Sequence, residues 1–245
     1  MICGNVEILS NSKIEKNVYR LVLKCSEENV KPGQFFMLRL ANSDAFLGRP
    51  LSIYDATDES VSLLYAVIGK GTKYMSELVE GDIVHLVGPL GNGFDINDIK
   101  GKVALVSGGI GIAPFLYLAK HLNTDLCDLY AGFRDAVYSV DDIQPFVDSI
   151  QISTDTGLRG HKGFITDLLD PAKYDMVITC GPEIMMVKVV EMCKKVGVSS
   201  LVSSENRMAC GMGACRVCSC KTTEGMKRVC MEGPVFKGEE LIFNA

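Results

Sequence analysis

The chain has no tryptophan, no block of basic residues and no long uninterrupted apolar run. Its 25 basic and 30 acidic side chains give a formal net charge of −5, so we expect no nucleic-acid partner. The longest apolar stretch, residues 103–119, is broken by a serine, three glycines and a proline, which predicts a strand, a turn and a helix instead of a membrane span. The first residues lack a basic region followed by an apolar run, so no signal peptide is expected.

Cysteine, in contrast, is abundant: the 245 residues include ten, and five of these lie within residues 210–230. The other five are scattered singly, at Cys3, Cys25, Cys127, Cys180 and Cys193. Scattered single thiols are typical of a reduced intracellular protein, so we expect a cytoplasmic location and no membrane partner. The length and the 47% hydrophobic content suffice for two compact domains or one large one.

The cysteine-rich stretch has the pattern Cys210-x4-Cys215-x2-Cys218, and Cys230 follows after a longer gap. This is the plant-type spacing of ligands for a [2Fe–2S] cluster. Two glycines lie between the first two cysteines, and glycine allows the backbone to wrap a small core and turn its N–H groups towards sulfur. The spacing predicts an iron–sulfur site with these four ligands.

Alternatives remain open for this stretch. Four cysteines also bind tetrahedral zinc, although the usual zinc pattern is a pair of C-x2-C motifs. A disulfide cluster or buried thiols would also use cysteine, and Cys220 competes with Cys218 as the third ligand. The methionines of this region suit either an adaptable partner surface or a core: Met208, Met212, Met226 and Met231.

The first hundred residues carry the signals of a small antiparallel β-barrel, with short β-rich segments between glycine and proline turns. We predict strands at residues 18–24, 34–40, 62–68 and 83–87, and a helix only at 74–79. Within this region, Arg49-Pro50-Leu51-Ser52 offers a planar guanidinium for a diphosphate and a hydroxyl for a ring heteroatom. The turn Gly69-Lys70-Gly71-Thr72 precedes the helix and offers N–H groups to a phosphate. Alternatively, Arg49 is a surface ion-pair residue and the turn is an ordinary one.

From residue 101 the pattern changes to alternating strands and helices, which predicts a parallel sheet with a ligand at the carboxyl ends of its strands. The predicted strands are 103–106, 126–133, 150–153 and 176–180, and the predicted helices are 115–122 and 183–196. Gly108, Gly109 and Gly111 form a turn between strand and helix that suits a phosphate, or else only tight packing. Asp135, next to Arg134, disfavours the extra phosphate of NADP, so we predict NAD.

Two motifs resemble those of known families. Arg-Pro-x-Ser followed by Gly-x-Gly-Thr is similar to the FAD-binding barrel of the ferredoxin–NADP reductase superfamily, and residues 179–183 resemble its signature that places a cysteine beside the nicotinamide. Glu-x-Arg-Met-x-Cys-Gly-x-Gly-Ala-Cys and Val-Cys-x-x-Gly-Pro-Val-Phe resemble the electron-transfer subunits of NAD-dependent dihydroorotate dehydrogenases over essentially the whole chain.

The resemblance implies three units: an FAD-binding β-barrel at 1–99, a Rossmann-like NAD-binding α/β domain at 100–203 and a [2Fe–2S] segment at 204–245. The implied FAD contacts are Arg49, Pro50, Leu51, Ser52, Leu64, Tyr65, Ala66, Gly71 and Thr72. The implied NAD contacts are Gly108, Gly109, Gly111, Cys180, Gly181 and Pro182, and the implied cluster ligands are Cys210, Cys215, Cys218 and Cys230. Ala66 departs from the family, which often has arginine at this position.

The resemblance also implies a relay in pyrimidine biosynthesis. An FMN-containing catalytic partner oxidises dihydroorotate, and electrons cross the cluster and FAD to NAD⁺ within a heterotetramer of two such chains and two catalytic subunits. The cofactors carry the chemistry, so no acid–base residue of this chain is expected to act on the substrate. The alternative is a subunit of a ferredoxin- or sulfide-linked NAD(P)H flavin oxidoreductase built from the same modules.

Overall fold

A computed structural model describes residues 2–26, 30–40 and 46–243 of the chain. Its N-terminal part is a closed six-stranded barrel. The strands are β1 (Ile2–Glu15), β2 (Val18–Lys24), β3 (Phe35–Arg39), β4 (Arg49–Ala56), β5 (Ser60–Ala66) and β6 (Ile83–Leu90). They follow the order β1-β2-β5-β4-β3-β6 around the barrel, and every pair is antiparallel. The predicted barrel is confirmed.

Alternating apolar side chains fill the barrel. Leu21 and Leu23 on β2, Leu38 on β3, Ile53 on β4 and Leu63 on β5 are fully buried, as expected for strands with one face towards the core. This core fixes the register of β4 and β5, the two strands that carry most of the predicted flavin contacts.

The barrel helix begins earlier than predicted: α1 spans Lys70–Met75 and not residues 74–79. The Thr72 hydroxyl explains the early start, because it accepts the backbone N–H groups of Ile68 (2.9 Å) and Gly69 (3.2 Å) and so caps the first turn. Thr72 therefore lies inside the helix and not in a loop before it.

The central part is an α/β sheet whose strands are parallel, as predicted. Its strands are β7 (Lys102–Gly108), β8 (Leu126–Phe133), β9 (Ser149–Thr154), β10 (His161–Lys162), β11 (Met176–Cys180) and β12 (Ser199–Ser203). Its helices are α2 (Phe115–His121), α3 (Val140–Ile143) and α4 (Glu183–Val196). Single 3₁₀ turns lie at Ile96–Asp98, Gly109–Ile112, Gln144–Phe146, Ile165–Asp167 and Pro171–Lys173. The order β10-β9-β8-β7-β11-β12 puts β7 and β11 side by side, so their carboxyl ends meet.

The C-terminal part is short of regular structure. It contains a hairpin of β13 (Ser219–Thr222) and β14 (Gly225–Arg228), and a last strand, β15 (Val235–Lys237). β15 pairs antiparallel with β12 and becomes the seventh strand of the central sheet. The cysteine-rich segment is thus anchored to the central sheet, and the domain boundaries given above stay a prediction.

Polar contacts join the barrel to the central sheet. Asp142 of α3 accepts a hydrogen bond from the Tyr54 hydroxyl and pairs with Arg20 of β2, with Nη1 and Oδ2 3.3 Å apart. Lys120 of α2 pairs with Asp55 of β4, with Nζ and Oδ2 2.6 Å apart. These contacts fix the angle between the two halves. Within the described ranges, no helix is long and apolar enough to cross a membrane.

Candidate functional site

A cavity of about 560 Å³ lies where the barrel meets the central sheet and the cysteine-rich segment. Strands β4 and β5 and helix α1 supply its barrel wall. Eight of the nine predicted FAD contacts line it: Arg49, Pro50, Leu51, Ser52, Leu64, Tyr65, Ala66 and Thr72. The opposite wall comes from Ile110, Ala113 and residues 203–208.

Gly71, the ninth predicted contact, does not line this cavity but packs against the guanidinium of Arg49. A Cβ atom on Gly71 would lie 1.8 Å from Nη2 of Arg49, so only glycine lets the guanidinium sit there. The guanidinium also donates to the Leu47 carbonyl. Burial lowers the pKa of Arg49, but the guanidinium stays charged, and an anion beside it would offset its desolvation. A held, partly buried guanidinium at the mouth of an apolar cavity fits the diphosphate of a flavin dinucleotide.

A second cavity, of about 1020 Å³, opens at the carboxyl ends of β7 and β11. Gly108, Gly109, Gly181 and Pro182 line it, as predicted for a nucleotide site at this edge of a parallel sheet.

Two predicted nucleotide contacts, Gly111 and Cys180, do not line the second cavity. A Cβ atom on Gly111 would lie 2.3 Å from the Cys180 carbonyl oxygen, so this glycine serves close packing of the turn on β11. The Cys180 thiol is buried, and its burial raises its pKa. In this structure Cys180 packs against the glycine turn beside the cavity and does not line the cavity itself.

The two cavities are continuous, because Ala66, Ile68, Ile110 and residues 204–206 line both. Glu205 is the charged residue at this junction, and the surrounding protein raises the pKa of its carboxyl group by desolvation. Sequence reasoning named this segment only as part of a family motif. The signal that could have found it is its place directly after β12, at the same sheet edge as the glycine turns.

The four predicted cluster ligands lie close together as two pairs. The Cys215 N–H points to the Cys210 sulfur at 3.4 Å, and the Cys218 and Cys230 sulfurs are 3.3 Å apart. In a two-iron cluster each tetrahedral iron takes two bridging sulfides and two thiolates, so two pairs are what such a cluster requires. Among the described residues, no group of three or more His, Cys, Asp or Glu side chains is placed to hold a single metal ion.

Backbone N–H groups surround these sulfurs. The Gly213 N–H donates to the Cys230 sulfur at 3.1 Å. At Cys210, burial alone would raise the pKa, but hydrogen bonds from Cys215, Met212 and Ala214 outweigh it and lower the pKa to about 6. The loop needs its glycines for this geometry, because Gly211 and Gly213 have φ of 76° and 82°.

Cys220, the competitor for the third ligand, lies in β13 and lines the second cavity. It is Cys218 that packs beside Cys230. The geometry supports Cys218 as the third ligand.

Two of the basic residues near the cysteines, Lys227 and Arg228, form ion pairs with glutamates. Lys227 lies 2.7 Å from Glu224 and 3.4 Å from Glu240, measured from Nζ to the carboxylate oxygens. Arg228 pairs with Glu232 and donates from Nη1 to the Gly213 carbonyl at 3.1 Å. Arg228 therefore ties the first part of the cysteine loop to the segment around Cys230.

The methionines of this region divide between core and surface. Met208 is buried beside Cys218 and Cys230, so of the two alternatives given for this residue the structure supports the core. Met212, Met226 and Met231 are exposed, the first and last of them next to the cysteine loop.

Comparison with known proteins shows which proteins the chain is similar to. Residues 205–242 match the family model of the iron–sulfur cluster binding domain of dihydroorotate dehydrogenase B. The chain is 51% identical to the dihydroorotate dehydrogenase B (NAD(+)) electron transfer subunit of Clostridium acetobutylicum, over 97% of this chain and 96% of that protein. It is 50% identical to the Clostridium perfringens protein of the same name, with 97% of each chain covered.

Solved structures agree on the fold. A structure of NADH-dependent reduced ferredoxin-NADP oxidoreductase matches with a TM-score of 0.88 and 29% identity, over 100% of this chain and 91% of that one. A ferredoxin NADP⁺ reductase from Neisseria gonorrhoeae with bound FAD and NADP matches with a TM-score of 0.63 and 17% identity, over 79% of this chain and 91% of that one, which shows the fold alone. With half of its residues identical over nearly its full length, the chain belongs to the family of dihydroorotate dehydrogenase B (NAD(+)) electron transfer subunits.

Proposed function

We propose that this chain passes electrons between a dihydroorotate-oxidising catalytic subunit and NAD⁺, with FAD in the first cavity, a [2Fe–2S] cluster on the cysteine pairs and NAD in the second cavity. The continuity of the two cavities through residues 204–206, which lead directly into the cysteine loop, carries this proposal. FAD, when bound, exchanges one or two electrons, which links the one-electron chemistry of the cluster to the hydride chemistry of nicotinamide.

The barrel residues bind and orient FAD. Arg49, held on Gly71, contacts the diphosphate through its fork, and Thr72 fixes the turn beside it. Ser52 and Tyr65 line the same cavity and would hold the ring system of the flavin on the side of β4 and β5. Ala66 lines both cavities, and the small side chain at this position leaves the passage between them open.

The second cavity selects NAD over NADP. Arg134 lines it, and the backbone carbonyl of Arg134 accepts the Asp155 N–H at 3.0 Å, so that Asp155 lies beside Asp135 and Arg134 at the end of β8. Asp135 and Asp155 do not line the cavity, but the negative charge of their carboxylates next to Arg134 disfavours an additional phosphate there.

The exposed side of the cysteine loop is the proposed docking surface for the catalytic subunit. Cys215 is exposed there, and the thioethers of Met212 and Met231 supply adaptable apolar contact. The assembly of two such chains with two FMN-containing catalytic subunits belongs to the same proposal. So does a cytoplasmic location, which the five singly scattered cysteines support.

An anaerobic visible spectrum of the purified chain, with assays of flavin, iron and sulfide, tests the proposal. We expect about one FAD and two irons per chain by the ligand count for such a cluster, and bleaching of both absorbances by NADH. A colourless protein, or flavin that NADH does not reduce, would contradict the assignment.

The partner separates the proposal from a ferredoxin-linked reductase. Mixing with the catalytic subunit should give NAD⁺ reduction that depends on dihydroorotate. The identity of 51% to the named dihydroorotate dehydrogenase subunit, against 29% to the ferredoxin-linked structure, favours this outcome. Electron transfer to ferredoxin without any dihydroorotate-dependent activity would favour the alternative.

A further inference from the structure

The long gap between the third and fourth cysteines is filled by the hairpin β13–β14, from Ser219 to Arg228. Ser219 directly follows Cys218, and Cys230 comes two residues after Arg228, so one hairpin connects the two members of a cysteine pair. Strand pairing from Ser219–Arg228 to Thr222–Gly225 fixes its register. Besides connecting two cysteines, the hairpin lies beside the second cavity.

The hairpin forms a wall of the second cavity. Ser219, Cys220, Lys221 and Met226 line the cavity on this side, opposite Gly108 and Gly181 of the central sheet. The nucleotide site is therefore closed on one side by the cysteine-rich segment, and not by the central sheet alone.

Charge on this wall points to an anionic ligand group. Within the part of the chain that the structure describes, Lys221 forms no ion pair, whereas Lys227 on the facing strand is held by two glutamates. Arg134, which follows β8, also lines the cavity and forms no ion pair with any residue that the structure describes. The carboxylates of Glu183 and Glu205 line the cavity as well. A doubly charged diphosphate in this cavity thus needs both cations.

We infer that Lys221 contacts the diphosphate of the nicotinamide dinucleotide, so that the hairpin that connects two cluster ligands is also part of the nucleotide site. This inference rests on the proposed function, which puts NAD in the second cavity. The N-terminal end of α4 supports it, because the helix begins at the cavity and the ring of its N-cap, Pro182, has no polar atom to accept the N–H groups of Glu183 and Ile184. The diphosphate lies between these N–H groups and Lys221.

Calorimetric titration of the full chain, loaded with FAD and cluster, with NAD⁺ tests the inference without relying on turnover. We expect Lys221→Glu to raise the dissociation constant by about tenfold, and Lys221→Arg to restore most of the affinity. The gap between wild type and Lys221→Glu should shrink as salt is raised, because the contact is electrostatic.

Lys237→Glu is the matched control, since it makes the same charge change at an exposed position of β15 outside both cavities. Iron content and the spectrum of the cluster show whether each variant keeps its hairpin folded. Equal dissociation constants for Lys221→Glu and Lys237→Glu would overturn the inference. A wild-type chain that does not bind NAD⁺ at all would instead contradict the proposed function.

Discussion

The barrel and the cysteine-rich segment are held together in different ways. The barrel has strands of up to 14 residues around a core of fully buried aliphatic side chains. The segment after residue 203 has three strands of 4, 4 and 3 residues. Its buried residues include two of the proposed cluster ligands, Cys218 and Cys230.

This difference teaches where stability comes from in each part. Burial of apolar surface is enough to hold the barrel. In the cysteine-rich segment two of the proposed ligands, Cys218 and Cys230, occupy core positions, and ligand binding is then coupled to folding, as in other small metal-binding segments. We therefore expect the segment to depend on its cluster and the barrel to be independent of it.

The largest effect should follow from Cys215→Ser. This substitution removes one member of a cysteine pair, so the variant should lose nearly all its iron while keeping its FAD, because all the proposed FAD contacts lie in the barrel. Iron, sulfide and flavin assays on the purified variant measure this.

Cys220→Ser is the control for that experiment and should keep its iron. Loss of iron from Cys220→Ser alone would place Cys220 among the ligands. Loss of FAD from Cys215→Ser would contradict the independence of the barrel.

A smaller effect, confined to the barrel, is expected from Gly71→Ala. Its methyl group would displace the Arg49 guanidinium and should weaken FAD binding by about tenfold, or 1.4 kcal/mol, without loss of iron. Gly69→Ala is matched to it, since a Cβ atom there meets nothing within 4 Å. Equal FAD dissociation constants for the two variants, measured by flavin fluorescence, would show that Arg49 does not bind the cofactor.

An ion pair of the cysteine-rich segment can also be compared with one of the barrel. Arg228→Met removes the tie between the Gly213 carbonyl and Glu232, and should speed the release of iron to a chelator by about threefold, because the loop around the cluster opens more often. Lys73→Met breaks an exposed pair with Glu77 on the barrel helix and should leave the release rate unchanged. A similar increase in both variants would mean that Arg228 has no special role.

The smallest effect concerns an exposed pair of the central domain. A hydrogen bond from Lys188 lowers the pKa of Asp167, so the pair stabilises the fold above the unfolded pKa and its contribution is lost as the pH falls. Asp167→Asn should therefore be slightly less stable than wild type at pH 7, and the gap should close below about pH 4. Urea unfolding at the two pH values measures the gap, and a gap that grows on acidification would contradict the sign.

The sequence predicted the scaffold well where local patterns decide it. Strands Val18–Lys24, Leu126–Phe133 and Met176–Cys180 and helix Glu183–Val196 have the predicted bounds, because apolar periodicity and flanking glycines specify them. The prediction placed helix α1 too late in the chain, because it left out the turn that contains the capping hydroxyl of Thr72.

Contacts between segments that are far apart in the sequence could not be predicted from local patterns. Neither the shared wall of residues 204–206 nor the hairpin wall with Lys221 has a local pattern, since each depends on how three segments meet. The pairing of β15 with β12 escaped prediction for the same reason. The pattern of the cysteines fixed the candidate ligands, but only the folded chain brings them together as pairs.

An anaerobic titration with NADH, followed at once by visible absorbance and by electron paramagnetic resonance, tests the central claim of a continuous path from nucleotide to cluster most directly. In the intact chain, the flavin absorbance should bleach and the signal of a reduced [2Fe–2S] cluster should appear. In Cys215→Ser, only the flavin should respond. Bleached flavin beside a cluster that is present but stays oxidised in the intact chain would contradict the path.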